Sequence, residues 1–189
     1  MDKNPKKDSI AVKPDKVYSD IQRDIQKYID PGIFNCYQCG KCTAGCPLAD
    51  IFEYKPNQII MLVQNGRIED IINSNSIFLC LTCEICSSRC PQDVHIARIM
   101  NYIRNEAWKM GKVKIPSIKR FYKLFLKEVS ITGKVYEPGL IAGLNLINGR
   151  LFNDMDLALK ILGKRKIKIL PDFVKQRKGI SKAVDKYLK

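Results

Sequence analysis

Apolar positions recur at helical spacing along most of this chain, and strict two-residue alternation is scarce. Ser19 opens the first such run. Gln22 stands at capping-box spacing, Ile21, Ile25, Tyr28 and Ile29 supply the apolar side, and Asp30-Pro31-Gly32 stops it. A second run has Pro56 in a first-turn position, followed by Ile59, Ile60, Leu62 and Val63, then Ile68, Ile71 and Ile72. Asp93 is placed to cap a third, whose face carries Ile96, Ile99, Met100, Ile103, Ala107 and Met110 and which ends at Gly111. Further helices are expected from about Ser117 to Val129, with Phe121, Leu124, Phe125 and Glu128 as a stripe, over Asp154 to Leu162, and over Ser181 to Leu188. Pro138, Gly139, Gly143, Gly149, Gly163 and Pro171 punctuate the intervals. The pattern predicts a mainly α protein.

Two loops between these helices repeat each other. Phe34-Asn-Cys36-Tyr-Gln-Cys39-Gly-Lys-Cys42-Thr-Ala-Gly-Cys46-Pro47 returns 44 residues later as Phe78-Leu-Cys80-Leu-Thr-Cys83-Glu-Ile-Cys86-Ser-Ser-Arg-Cys90-Pro91. Two copies are too few for a solenoid, so the repeat reads as a duplicated site. Its spacing is the C-x2-C-x2-C-x3-C-P run that binds [4Fe–4S] clusters. Three thiolates three residues apart let one tight loop wrap three corners of a cubane. The fourth Cys is held extended by the following Pro and reaches the other cluster. Cys36, Cys39, Cys42 and Cys90 are therefore assigned to one cluster, and Cys80, Cys83, Cys86 and Cys46 to the second.

The competing readings of these cysteines are weaker. A C4 zinc module uses paired cysteines and has no place for a third one three residues on. Thioredoxin-like Cys-x-x-Cys chemistry needs a βαβ setting, and c-type haem needs a His after the pair. The one His, His95, is expected on the helix after the second copy as an ordinary polar residue rather than a ligand. With all eight Cys saturating two cubanes, no iron is left open to substrate, which makes the chain an electron conduit without an active site of its own. Lys41 in the first loop and Arg89 before Cys90, against Glu84 in the second loop, predict the higher potential for the Cys36/Cys39/Cys42/Cys90 cluster.

Charge changes the picture at residue 112. Of the net charge of +14, residues 1–111 contribute +1 and residues 112–189 contribute +13. All eight Cys lie in the first segment. The expected organisation is an N-terminal segment and helix over 1–32, a two-cluster domain over 33–111, and a basic helical C-terminal extension over 112–189 for docking to partner subunits. Phe121, Tyr122 and Phe125 beside Lys119, Arg120 and Lys123 are read as an ordinary amphipathic helix, so no nucleic-acid partner is expected. The longest uncharged stretch, Ile71 to Cys83, is thirteen residues, against roughly 20 for a membrane span. No apolar signal segment stands at the N-terminus, and a cytoplasmic location is expected.

The paired motifs joined by a helical spacer resemble the α-helical ferredoxin family, which includes the [4Fe–4S] part of succinate dehydrogenase and fumarate reductase iron–sulfur subunits. Within it, the stand-alone size and basic extension look most like the C subunits of soluble heterodisulfide reductases of methanogenic archaea. The resemblance is specific over about residues 33–110. It implies two [4Fe–4S] clusters that carry electrons from a flavin-containing A subunit to a catalytic B subunit, where the coenzyme M–coenzyme B heterodisulfide is reduced. It also implies an associated hydrogenase or formate dehydrogenase. No adjacent Cys pair occurs in this chain, so the catalytic Cys-Cys-Gly motifs of that family would lie on another polypeptide. The alternatives are an iron–sulfur subunit of another dehydrogenase or quinone-linked reductase, a free ferredoxin, or an iron–sulfur nucleic-acid protein.

Overall fold

A computed structural model describes residues 16–147, 149 and 171–188, and among them every regular element is helical. The chain divides into two compact units, residues 1–114 and 115–189.

The first unit opens with α1 (Lys16–Asp24), which widens into a π-helical turn over Ile25–Ile29 and ends at Asp30. Ser19 is inside α1 rather than at its start, and Gln22 makes no capping box. Its side-chain amide instead donates to the carbonyls of Val63 at 2.7 Å and Gln64 at 3.3 Å. A capping signature is local, and a helix end with open carbonyls nearby competes for the same amide. The expected stop is correct and has a further role. Asp30 caps a 3₁₀ turn over Pro31–Asn35, its Oδ1 accepting from the Gly32 N–H at 3.0 Å.

Each cysteine loop contains one short helical turn, α2 (Lys41–Ala44) in the first and α6 (Ile85–Ser88) in the second. Between the loops run α3 (Pro56–Gln64), α4 (Ile68–Ile72) and α5 (Ser76–Leu79). Pro56 is indeed in the first turn, where its missing N–H costs nothing. Gly66, at φ 71°, turns the chain between α3 and α4. After the second loop comes α7 (Ile96–Lys109), stopped at Gly111 with φ 71°. Its expected apolar face is buried, with Ile99, Ile103 and Ala107 fully so, and only Met110 at the frayed end is half-exposed. Ile59, Ile60, Val63, Ile68, Ile71 and Ile72 complete the core against it. Each buried Ile contributes about 1.5–3 kcal/mol, so this isoleucine layer is the main stabilising term of the unit.

Asp93 does not cap α7. It turns at φ 55°, a conformation Asp tolerates, and His95 rather than Asp93 immediately precedes the helix. His95 is therefore at the helix entrance and not on the helix.

The second unit contains α8 (Pro116–Thr132), α9 (Glu137–Ile147) and α10 (Arg177–Leu188). The expected helix of 117–129 is longer by a residue before and three after, and the final helix starts four residues early. The expected helix over Asp154 to Leu162 lies outside the described residues. α9 occupies what its Pro and glycines mark as a punctuated interval. Pro138 stands in the first turn, and the glycines are there for packing: a Cβ on Gly143 would come within 2.9 Å of Leu124, and one on Gly139 within 2.7 Å of Glu128. α8 ends at Gly133, φ 82°, where the Thr132 carbonyl accepts from Val174 N–H at 2.9 Å. Phe121 stacks on Phe125 at 6.0 Å, and both rings are half-buried, as an amphipathic stripe requires.

Candidate metal centre

The two cysteine loops have the same backbone. Gln38 and Thr82, equivalent in the repeat, both adopt positive φ (61° and 54°), as do Gly40 and Glu84 (78° and 60°). These left-handed residues tighten both loops in the same way. Exposure repeats as well: Cys36 and Cys80 are half-buried, Cys39 and Cys83 exposed, Cys42 and Cys86 buried, and Cys46 and Cys90 half-buried. All eight are free thiols.

Each loop is held by the helix that follows it through two equivalent ties. At the helix start, Thr43 Oγ1 accepts from the Asn57 N–H at 3.2 Å, and Ser87 Oγ accepts from the Ala97 N–H at 3.3 Å. Such a hydroxyl satisfies one of the unpaired donors of a helix N-terminus. Two turns on, Gln64 Nε2 donates to the carbonyls of Ile33 (2.9 Å) and Cys36 (3.4 Å). Arg104 does the same for the second loop, Nε donating to Ile77 O and a terminal nitrogen to Cys80 O, both at 2.6 Å. The cysteine pattern announces none of these four ties. A signal for them exists in a second repeat, offset by 40 residues, that aligns Ile59, Ile60 and Val63 with Ile99, Met100 and Ile103.

Other ties cross between the loops. The segment after Cys46 is pinned to the entrance of the second loop, Asn75 Oδ1 accepting from Glu53 N–H at 3.0 Å and Ser76 Oγ from Tyr54 N–H at 2.9 Å. The segment after Cys90 is pinned to the entrance of the first loop, Asp30 Oδ2 accepting from His95 N–H at 2.6 Å. Asp30 is 4% exposed, and His95 Nδ1 stands 3.7 Å from it, so the histidine's role is in this clasp. The crossing brings each fourth cysteine to the opposite loop.

Cys46 thus lines one shallow, mostly apolar recess with Cys80, Cys83 and Cys86, walled by Pro47, Leu48, Phe52, Ile85 and Met100. On the other side, Tyr37 stands among Cys39, Cys90 and Cys36. Its pKa is raised by desolvation and then by these thiols. Backbone N–H groups point at two sulfurs: Thr82 donates to Cys80 Sγ at 3.4 Å and Val94 to Cys90 Sγ at 3.3 Å. Burial pushes the thiols of Cys42 and Cys80 up, and that of Cys86 to about 11. Loading iron onto these sites therefore expels protons.

The donor set fits two cubanes. Among the described residues no three His, Cys, Asp or Glu side chains converge on a point where one metal ion would sit. A mononuclear zinc module takes its cysteines in pairs and has no place for a third one three residues on. A cubane binds each of its four cysteines at a different iron, which suits thiols that line a recess without meeting. Among the described residues no helix is long and apolar enough to cross a membrane.

Comparison with known proteins agrees. Residues 35–95 match the 4Fe-4S dicluster domain. The chain is 38% identical over 80 residues to the second iron-sulfur C subunit of the CoB–CoM heterodisulfide reductase of Methanocaldococcus jannaschii, covering 42% of each chain. It is 40% identical over 76 residues to the C subunit of the H(2):CoB-CoM heterodisulfide,ferredoxin reductase of Methanothermobacter thermautotrophicus, covering 40% of this chain and 41% of the relative. With the iron-sulfur C subunit of the CoB–CoM heterodisulfide reductase of Methanopyrus kandleri it shares 29% over 109 residues, 53% of this chain and 57% of the relative. The chain thus spans only 41–57% of the length of these curated relatives. Residues 35–95 thus match a 4Fe-4S dicluster domain, and the relatives named above are C subunits of heterodisulfide reductases.

Proposed function

We propose that this chain is the electron-transferring C subunit of a cytoplasmic heterodisulfide reductase complex and carries no active site of its own. Cys36, Cys39, Cys42 and Cys90 hold one cluster, and Cys80, Cys83, Cys86 and Cys46 hold the other. The observation that supports this reading is the crossing of the loops, which brings Cys46 to Cys80, Cys83 and Cys86 and brings Cys90 to the side of Cys36 and Cys39. When bound, the clusters supply one-electron transfer and nothing else.

The chain's own residues do the rest. Cys42 and Cys86 anchor the buried side of each site, while Cys39 and Cys83 reach the surface, each beside exposed apolar side chains: Phe34 and Tyr37 in the first loop, Leu81 and Ile85 in the second. Two such faces, one per loop, suit one donor and one acceptor. The donor is a flavin-containing A subunit and the acceptor a catalytic B subunit that reduces the coenzyme M–coenzyme B disulfide, with a hydrogenase or formate dehydrogenase as the ultimate source. The names of relatives, which include H(2)- and formate-linked reductases, support such a source of electrons. The unit from Ile115 onward, which carries most of the basic excess, docks the chain to acidic surfaces of its partners.

Anaerobic affinity purification from the native cell, with mass spectrometry of what accompanies the chain, tests the proposal. A flavoprotein together with a polypeptide that has tandem Cys-Cys-Gly motifs is the expected result. Recovery alone, or with a different dehydrogenase, overturns the assignment to heterodisulfide reductase.

A further inference from the structure

The clasps on the two loops are alike in position and unlike in charge. Gln64 and Arg104 each close the final turn or two of the helix after their loop, and each binds the two carbonyls that enter it: Ile33 and Cys36 for Gln64, Ile77 and Cys80 for Arg104. Arg104 has a third anchor, Thr82 Oγ1 at 3.4 Å. Three hydrogen bonds fix its guanidinium, which is half-buried and does not lose its proton. Lys41, Arg89 and Glu84, on which the sequence-based ranking of the two potentials rests, are all exposed. Water and salt screen such charges far more than a pinned, half-buried one.

We propose that Arg104 is a potential-setting residue: its fixed positive charge against the Cys80 loop raises the reduction potential of the cluster held there, while Gln64 gives the first loop the same clasp without charge. Reduction makes a cluster more negative, so a nearby cation stabilises the reduced form. Arg104 acts by position and charge and touches no reacting atom. The inference rests on the two-cluster ligand assignment above, and it goes beyond that assignment by naming what distinguishes the two sites.

The test uses the full chain, loaded anaerobically, with iron and sulfide quantified and both potentials measured by EPR-monitored redox titration. Arg104→Gln is expected to lower one potential, leaving roughly tenfold less reduced cluster at a fixed solution potential, which for a one-electron couple is about 59 mV. Arg104→Lys retains most of the original value. Gln64→Arg raises the other potential and leaves the first unmoved. If Arg104→Gln is fully loaded and both potentials stay put, or if Lys and Gln at 104 shift the potential equally, the charge has no such role. Gln64→Arg adds a charge to an intact clasp, so its failure to move either potential also overturns the inference, even where Arg104→Gln loads poorly. Iron in the unsubstituted protein amounting to a single cluster would instead refute the two-cluster reading itself.

Discussion

The two halves of the cysteine-bearing unit share a backbone and differ in side-chain chemistry. Both loops turn left-handed at the same two positions, both are tied by a hydroxyl to the next helix start, and both are clasped from that helix two turns later. At three positions the first half is neutral or small and the second charged, Gln64 against Arg104, Gly40 against Glu84 and Gly45 against Arg89, while Lys41 against Ile85 runs the other way. A Cβ on Gly45 would come within 2.6 Å of the Arg89 side chain, so the two loops meet at that unequal pair. A duplicated frame must preserve backbone geometry to place its cysteines alike. It leaves the charges around each site free to diverge.

The largest effect should come from breaking the crossing. Cys46→Ala and Cys90→Ala are each expected to remove roughly half of the bound iron, as one of two clusters, with the two variants retaining different EPR signals; loss of the same signal from both would contradict crossed ligation. Next come the equivalent core positions Ile59 and Ile99, both fully buried. Truncation of either to Ala should cost about 3–4 kcal/mol in anaerobic guanidinium unfolding followed by circular dichroism, and a much smaller cost at one would show that only the other half carries the core.

The crossing ties are less equal. Asp30→Ala strands the N–H groups of Gly32 and His95 and should cost about 3 kcal/mol, because hydrogen bonds to a charged acceptor are worth more. Ser76→Ala, which strands only the Tyr54 N–H, should cost about 1 kcal/mol in the same assay. The smallest effect is at the loop tips. Gly40→Ala should destabilise by about 1 kcal/mol through φ alone, since its Cβ meets nothing within 4 Å. Glu84→Gly should stabilise by up to about 1 kcal/mol, because it removes the same left-handed penalty from the other half. Effects of the same sign would mean that the loops are not conformational equivalents.

Much of this is legible along the chain. The isoleucine faces of α3 and α7 are, because burial follows helical period. So are the stops at Asp30 and Gly111, because they depend on Pro and Gly chemistry within a few residues. The helix starts are less so. Ser19 and Asp93 have capping side chains, yet the chain begins its helices at Lys16 and Ile96, because Gln22 and Asp30 are engaged by groups distant in sequence. α9 escapes a reading by pattern because Gly139 and Gly143 resemble breakers, when their smallness serves a close helix contact.

The residue order alone determined that the eight cysteines form two repeated sets with the spacing of [4Fe–4S] ligands, since thiolate chemistry and C-x2-C-x2-C-x3-C-P spacing are local properties. Only the tertiary structure decided what surrounds those sets. Asp30 meets His95 and Arg104 meets Cys80 across 65 and 24 residues of chain, and no local rule foretells which distant side chain will find an open carbonyl or N–H once the isoleucine core has brought them together.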